Sequence, residues 1–219
     1  MNQGDYKISI AGENSLIIYF DDRASDRNSA LIAETVNDLK ASIGCFIIDL
    51  IPSYASLLVI YDSLLTDHYL MKLEIEKSLK KIVSTESSNN GTLVELPVYY
   101  SPESGPDLQS LSKLVGLSTQ EIIELHQSID YRVYAMGFAP GFAYVDGVDP
   151  QLEGTRLEHP RQLVKAGSVG FISGHLGIYA LDSPGGWPII GRTAALLFDE
   201  SKSDPFLIKP GLGLQIEWV

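Results

Sequence analysis

Residues 131–219 carry the pattern that most constrains the fold of this chain: short apolar runs separated by Gly and Pro. None of these runs has the three-to-four-residue spacing that an amphipathic helix requires. In order they read YRVYAMGF, GFAYV, GSVGFIS, GIYAL, PIIGRT, ALLFD, FLIKPG and LQIEWV. Many short strands joined by turns are typical of a closed barrel or a sandwich, and we expect a barrel.

A strand and two helices precede this pattern and complete one domain over residues 92–219. Residues 92–100 form an apolar strand pattern, and a helix is predicted over 107–115 with Pro106-Asp107 as its cap. A second helix, 118–129, opens with Ser and Glu at the spacing of a capping box. We therefore predict a mainly-β barrel domain that contains two helices.

Residues 1–84 predict a smaller domain of the α+β class, and the polar residues 85–91 predict a linker between the two domains. Apolar, β-branched runs alternate in this part with stretches of helical spacing. The resulting order, ββαββα, favours an antiparallel sheet with helices on one face. The predicted elements are strands 7–11 and 15–20, a helix 25–43, a hairpin of strands 45–51 and 57–61, and a helix that starts at Thr66 or Asp67 and ends near 83.

The charge balance narrows the class of partner. The chain of 219 residues has a formal net charge of −12 and no basic patch, so we expect no nucleic acid and no membrane as partner. One Arg in a pocket is still enough to bind a small anion. No apolar stretch reaches the length of a membrane span and no signal-peptide pattern opens the sequence, which predicts a cytoplasmic protein.

Signatures of phosphate-loop, hydrolase and metal sites are missing from the sequence. It contains neither a Gly-rich phosphate loop with Lys nor the Gly-x-Ser-x-Gly turn of hydrolases. The four histidines do not pair at metal-ligand spacing and Cys45 is the one cysteine, so we expect no metal and no internal disulfide. Cys45 stands in the apolar run CFII, which predicts an inert core thiol rather than a nucleophile.

Three titratable side chains among the glycines of the barrel region are candidates for chemistry. Arg161 and Arg192 interrupt apolar strands, where a guanidinium either clamps a carboxylate or phosphate ligand or pairs with an internal carboxylate. Glu158 and Asp182 are carboxylates that could serve as that internal partner. His175 is either a structural histidine or a proton carrier. The residue spacing leaves these alternatives open.

Aromatic residues on permissive turns indicate where a ligand would be enclosed. The segment GFAPGFAY places three aromatic rings between Gly and Pro, and SPGGW places a Trp beside two glycines. Such rings more often line a groove or an interface than fill a core. We predict one apolar concavity, rimmed by the three basic candidates and lined by Phe138, Phe142, Tyr144, Tyr179, Ser183, Gly185, Gly186 and Trp187.

These stretches resemble a known family. The segments GFAPGFAYVDGVDP, HPR, AGSVG, GIYALDSPGGWPIIGRT and KPG, with GPDL and YRV, are similar to the subunit 1 family of allophanate hydrolase, also called the KipI or PxpB family. The likeness is strong over about residues 92–219 and extends to the earlier part by predicted topology alone. The combination of GFxPGF with SPGGW is specific.

The resemblance implies a cyclophilin-like β-barrel after a small α/β domain, and a partner called subunit 2. Members belong to the bacterial ATP-dependent 5-oxoprolinase, a hydrolase that opens 5-oxoproline to glutamate, and a third, lactam-hydrolysing subunit is a further expected partner. We therefore expect one component of a hetero-oligomer that is inactive alone, with ATP bound at an unusual site or on a partner chain. The alternatives are an inhibitor of a sensor histidine kinase, as in one member, or a subunit of the allophanate hydrolase or urea carboxylase type with another amide substrate.

The sequence departs from the family at positions of the presumed pocket. Where members usually have Gln and Thr, this chain has His175 and Leu176, which exchanges an amide for a titratable ring and removes a hydroxyl. Arg161, Tyr179, Arg192 and the SPGGW run are retained. The resemblance implies that the two arginines bind an anion or phosphate, that His175 donates a hydrogen bond or a proton, and that the substrate differs or activity is lost.

Overall fold

The computed structural model of the chain describes residues 6–20, 25–84, 93–152, 154–172, 174–210 and 212–218. The predicted linker, 85–91, lies outside these residues. The chain divides into two compact units, Met1–Gly91 and Thr92–Val219.

The first unit combines an antiparallel sheet with helices, as the sequence predicts. Its elements, in chain order, are β1 (Lys7–Gly12), β2 (Ser15–Tyr19), α1 (Asp26–Ile43), β3 (Ile47–Pro52), β4 (Ser56–Tyr61) and α2 (His68–Ser84). The strands lie side by side in the order β1-β2-β4-β3. Alternate strand residues such as Leu16 and Val59 are buried with helix residues such as Leu39 and Ile75, and together they form one core.

Both helices of this unit start at a side-chain cap. The Ser25 hydroxyl accepts from the amide of Asn28 at 3.1 Å at the start of α1. Asp67 Oδ1 accepts from the amide of Leu70 at 2.8 Å, so of the two caps predicted for α2 the carboxylate takes the role. These bonds satisfy amides that the first helical turn leaves without a partner.

Cys45 is exposed, so the prediction of a core thiol is wrong. The apolar run that contains it begins as a 3-10 helix, Gly44–Phe46, and becomes strand only from Ile47 onward. This short turn joins α1 to β3 and places Cys45 outside the alternation of buried and exposed strand positions.

The second unit is built on a mixed sheet of seven strands. The strand order is β12-β9-β10-β7-β6-β13-β5, in which β5 and β13 pair in parallel and the other neighbours are antiparallel; β8 and β11 form a separate two-stranded sheet. The elements are β5 (Leu93–Val98), α3 (Leu108–Val115), α4 (Thr119–Gln127), β6 (Tyr131–Met136), β7 (Ala143–Asp146), β8 (Arg161–Val164), β9 (Ser168–Ile172), β10 (His175–Ile178), β11 (Ser183–Gly185), β12 (Ile189–Arg192) and β13 (Gly213–Trp218).

The two edge strands of this sheet meet at a bridge between Tyr99 and Arg192. The amide of each residue donates to the carbonyl of the other, at 2.8 and 3.0 Å. Because Tyr99 follows β5 and Arg192 ends β12, the bridge brings both edges together and the sheet nearly closes into a barrel. The predicted barrel is therefore present as a nearly closed mixed sheet.

Two of the predicted barrel strands, ALLFD and FLIKPG, are not strands. They contribute the isolated bridge between Phe198 and Phe206, whose rings lie 5.4 Å apart. The chain between them is a turn in which Asp199 Oδ1 accepts from the amide and hydroxyl of Ser201. This local hydrogen bonding competes with extension into a longer ladder.

Apolar side chains of the strands and helices fill the core of the barrel unit. Val133, Val145, Val169 and Leu176 lie in one core with Ile122 of α4. The predicted capping box of α4 is confirmed: Ser118 Oγ accepts from the amide of Glu121 at 3.2 Å and Glu121 Oε2 accepts from the amide of Ser118 at 2.7 Å.

Candidate functional site

The five aromatic rings that the sequence proposes as pocket lining come together on the barrel unit. Phe142 is at the centre, and its ring centroid lies 4.9 Å from Tyr144, 5.0 Å from Tyr179, 5.4 Å from Phe138 and 6.0 Å from Trp187. All four contacts are edge-to-face, an arrangement that the quadrupoles of aromatic rings favour. We call these five residues the ring cluster.

A glycine explains why the ring cluster can lie against the sheet. Along β10, Leu176 and Ile178 belong to the barrel core, so Gly177 between them faces the other side of the sheet. A Cβ at Gly177 would lie 2.7 Å from the Trp187 indole and 2.9 Å from the Phe142 ring. Only a residue without a side chain leaves room for both rings at this position.

Most of the ring cluster is packed rather than arranged around a hollow. Phe142 and Tyr179 are each 2% exposed and Trp187 is 8% exposed. Val164 and Ile189 complete the same small core. The SPGGW bend therefore holds its indole as a plug against the sheet, and not as the wall of an open concavity.

Phe138 is the exposed member of the ring cluster. Its side chain is 64% exposed, and its backbone φ is 70°, a left-handed conformation that is rare for a bulky residue. The ring lies 6.5 Å from that of Tyr179 and covers the edge of the cluster. Backbone strain of this kind persists where the surrounding structure holds it, and it is concentrated at functional sites.

The other residues of the SPGGW run lie beside the cluster. A Cβ at Gly185 would lie 2.4 Å from the Tyr179 hydroxyl, so this glycine allows the phenol to pack against the bend. The Gly186 carbonyl accepts from the amide of Leu157 at 2.9 Å. Ser183 Oγ is buried and has no hydrogen-bond partner among the residues that the structure describes.

Arg161 lies next to this bend. It begins β8 and pairs in register with Gly185 of β11. Its Nη2 donates to Asp107 Oδ1 at 2.7 Å, whereas its Nη1 is buried and has no hydrogen-bond partner within the described part of the chain. The side chain is 32% exposed. One side of the guanidinium is therefore fixed by a carboxylate, and the other side carries an unused donor.

Asp107 is the important residue that the sequence pattern did not assign. It was expected to cap α3, but its side chain makes no capping bond there; Oδ2 accepts instead from the amide of Ile189 at 2.7 Å. Of the carboxylates suggested for Arg161, Asp182 pairs with Lys165 at 2.9 Å. The signal was the GPDL motif, since a Cβ at Gly105 would lie 2.0 Å from the carbonyl oxygen of the residue after Ile189.

Tyr179 faces positive charge. Burial raises the pKa of its hydroxyl, while a hydrogen bond with the backbone of Trp187 and the charges of Arg156 and Arg161 act in the opposite direction. The net shift of the pKa is upward, so the hydroxyl is protonated at neutral pH and remains a hydrogen-bond donor. A phenol beside two guanidinium groups is a favourable setting for a small anion.

His175 lies at the other end of β10 from Tyr179. It pairs in register with Asp146 of β7, and its Nδ1 lies 3.7 Å from Asp146 Oδ1. A four-residue strand separates the two ends by roughly 10 Å, at about 3.3 Å per residue. The structure therefore does not bring His175 to Arg161.

Arg192 is also separate from Arg161. Its backbone closes the barrel at Tyr99, and its Nε donates to the carbonyl of Ala166 at 2.8 Å. It ends β12, whereas Ile189, to which Asp107 is hydrogen-bonded, begins the same strand. The two arginines thus occupy two different environments in place of one continuous rim.

Neither a metal-binding group nor a membrane-spanning helix is found in the described residues. Among them, no group of three or more His, Cys, Asp and Glu side chains is arranged to hold a metal ion. In the same part of the chain, no helix has the length and apolar character needed to cross a membrane.

The family model "Carboxyltransferase domain, subdomain C and D" matches residues 6–208. This match spans both units, and the chain therefore belongs to the carboxyltransferase-domain family, subdomains C and D.

Its relatives carry a more specific name, that of a 5-oxoprolinase component of the PxpB type. One such protein, from Bacillus subtilis, is 31% identical over 216 residues, which are 94% of this chain and 90% of the relative. A protein of Escherichia coli O157:H7 with the same name is 44% identical over 118 residues, 54% of each chain. The crystal structure of TTHA0988 is 30% identical with a TM-score of 0.81 and covers 94% of this chain. This chain spans 40% of the TTHA0988 chain.

Proposed function

We propose that this chain is the PxpB-type component of an ATP-dependent 5-oxoprolinase and, with partner subunits, opens 5-oxoproline to glutamate. Support comes from the curated relatives of that name, one of which aligns with 94% of this chain and 90% of its own length. The expected partners are a subunit 2 chain and a lactam-hydrolysing subunit. The chain is expected to be inactive alone.

One observation carries the assignment of the substrate site: the unused, buried donor of Arg161 beside the ring cluster. 5-Oxoproline is a small lactam with one carboxylate. Asp107 holds the guanidinium from one side through Nη2, so that Nη1 is oriented before a ligand binds. A preoriented Arg loses little side-chain entropy on binding a carboxylate, which favours affinity.

Tyr179 and Phe138 complete the proposed site. The Tyr179 hydroxyl stays protonated and donates to an oxygen of the bound lactam. Phe138 projects from the edge of the cluster and covers one side of the ligand, which excludes water there. Its exposed ring also provides an apolar anchor for the partner that closes the site. His175 and Arg192 lie elsewhere and are not assigned to this ligand.

The described residues of this chain do not fit a triphosphate. Phosphates commonly bind amides at a helix N-terminus, but at α3 that position holds the Asp107 carboxylate, and at α4 the Glu121 carboxylate occupies it. Negative charge at both positions repels phosphate. We therefore place ATP on a partner chain, and the role of this chain is to bind, orient and shield the lactam.

The test is a coupled assay of the complex reconstituted from this chain and its partner subunits. Glutamate release should require ATP, 5-oxoproline and every subunit. Arg161→Gln should raise KM about 10- to 100-fold, because a charge-assisted hydrogen bond contributes about 1.5–3 kcal/mol. Lys202→Gln removes a cation of an exposed ion pair and should leave KM unchanged. A complete complex without turnover, or Arg161→Gln with the parent KM, would refute the proposal.

A further inference from the structure

A second concave surface lies where the barrel closes. The hollow has a volume of about 500 Å³, and its lining includes Tyr99, Glu103 and Arg192 together with two serines. We call it the seam hollow, because Tyr99 and Arg192 form the bridge between the two edge strands. Its volume falls in the range of roughly 300–1,000 Å³ that small-molecule sites occupy.

Arg192 presents a fixed cation to the seam hollow. Its backbone is held on both sides by the bonds to Tyr99, and its Nε donates to the Ala166 carbonyl at 2.8 Å. Across the described ranges, the two terminal nitrogens of this guanidinium make no hydrogen bond. The fork of donors that matches a carboxylate is therefore both oriented and available.

Glu103 supplies the opposite charge from a rigid turn. The amide of Ser101 donates to Ser104 Oγ at 2.8 Å, the amide of Ser104 donates to Ser101 Oγ at 3.1 Å, and Ser104 Oγ also donates to the Tyr99 carbonyl at 2.8 Å. Glu103 lies between these serines, so its backbone is fixed. A hydrogen bond from Ser101 lowers the pKa of the Glu103 carboxyl, which keeps the group ionised at neutral pH.

We propose that the seam hollow binds a small zwitterion of the amino-acid class, with Arg192 on its carboxylate, Glu103 on its ammonium group and the Tyr99 ring against its side chain. Dianions are disfavoured by Glu103, and polyamines are disfavoured by Arg192. Tyr99 is 55% exposed and provides a flat apolar surface at the same place. The inference does not depend on the lactam site, since Arg161 and Arg192 lie in separate environments.

The experiment is isothermal titration calorimetry on the full chain with L-glutamine and L-phenylalanine as probes. We expect saturable binding of at least one probe at one site per chain. Propionate, which lacks the ammonium group, should bind at least tenfold more weakly. Arg192→Gln and Glu103→Gln should each weaken binding of the amino acid at least tenfold, and Arg192→Lys should weaken it less than Arg192→Gln.

Arg161→Gln is the matched control, because it removes an arginine from the other site of the same unit and should leave this binding unchanged. Melting curves verify that each variant is folded; if Arg192→Gln is not, Glu103→Gln and Arg192→Lys decide. Absence of binding by both probes would overturn the proposal. Binding that is lost in Arg161→Gln but kept in Arg192→Gln and Glu103→Gln would also overturn it, and would place the amino acid at the lactam site.

Discussion

Asp107 connects three parts of the barrel unit, and its removal should therefore be costly. The residue is 8% exposed, its Oδ1 accepts from Arg161 Nη2, and its Oδ2 accepts from the amide of Ile189, both at 2.7 Å. Asp107→Ala leaves a buried amide and a guanidinium without their acceptor. Asp107→Asn keeps a carbonyl oxygen for the amide and loses only the charge.

The expected loss follows from these two contacts. A buried amide left without an acceptor costs about 1–3 kcal/mol. Breaking a fully buried ion pair costs about 3–5 kcal/mol, but the Arg161 side chain is 32% exposed, so solvent screening reduces this contribution to about 1–2 kcal/mol. We expect Asp107→Ala to lower the free energy of unfolding by about 3 kcal/mol and Asp107→Asn by about 1–2 kcal/mol.

Urea unfolding followed by tryptophan fluorescence measures this loss, because both tryptophans, Trp187 and Trp218, belong to the second unit. Asp182→Ala is the matched control: Asp182 likewise pairs with a cation, Lys165, and accepts from a backbone amide, yet it is exposed. Its loss should stay below about 1 kcal/mol. Equal losses for Asp107→Ala and Asp182→Ala would refute the reasoning that burial of Asp107 makes these contacts strong.

Two further predictions concern packing and pH. Gly177→Ala places a methyl group 2.7 Å from the Trp187 indole, so urea unfolding should show a loss of about 1–3 kcal/mol; an unchanged stability would contradict the packed arrangement of the ring cluster. Burial lowers the pKa of His126 to about 3, while Tyr100 holds its Nδ1 at 2.8 Å. The unfolded chain binds this proton below about pH 6.5, so the free energy of unfolding should fall as pH decreases from 6.5 toward 3, by up to about 1.4 kcal/mol per unit. His126→Gln should flatten this slope between pH 6.5 and 4, and an unchanged slope would assign the pH dependence to other groups.

Local patterns in the sequence predicted much of this protein correctly. The capping box at Ser118 and the cap at Ser25 depend on residues three positions apart, and both are present in the structure. The change from helical spacing to short runs with Gly and Pro marked the start of the barrel strands, because a strand needs only a few residues to define its two faces. The rings of GFAPGFAY and SPGGW were also grouped correctly, since each run concentrates aromatic residues at a bend.

Contacts between distant parts of the chain were not accessible in the same way. Arg161 pairs with a carboxylate 54 residues earlier, and no spacing rule selects Asp107 over the nearer Glu158 or Asp182. The predicted concavity became a packed cluster because Gly177 allows Trp187 to lie directly on the sheet. His175 and Arg192 were expected beside Arg161 and lie at the far ends of their strands, since strand register sets which end of a barrel a residue occupies.

Hydrophobic period, caps and turn residues thus specify the elements of this chain, because they act over one or two turns of backbone. Which side chains share a site depends on strand order and register, which arise when distant strands pair and bury their apolar faces together. In this protein that step joins Asp107 to Arg161, separates Arg161 from Arg192 and creates the seam hollow.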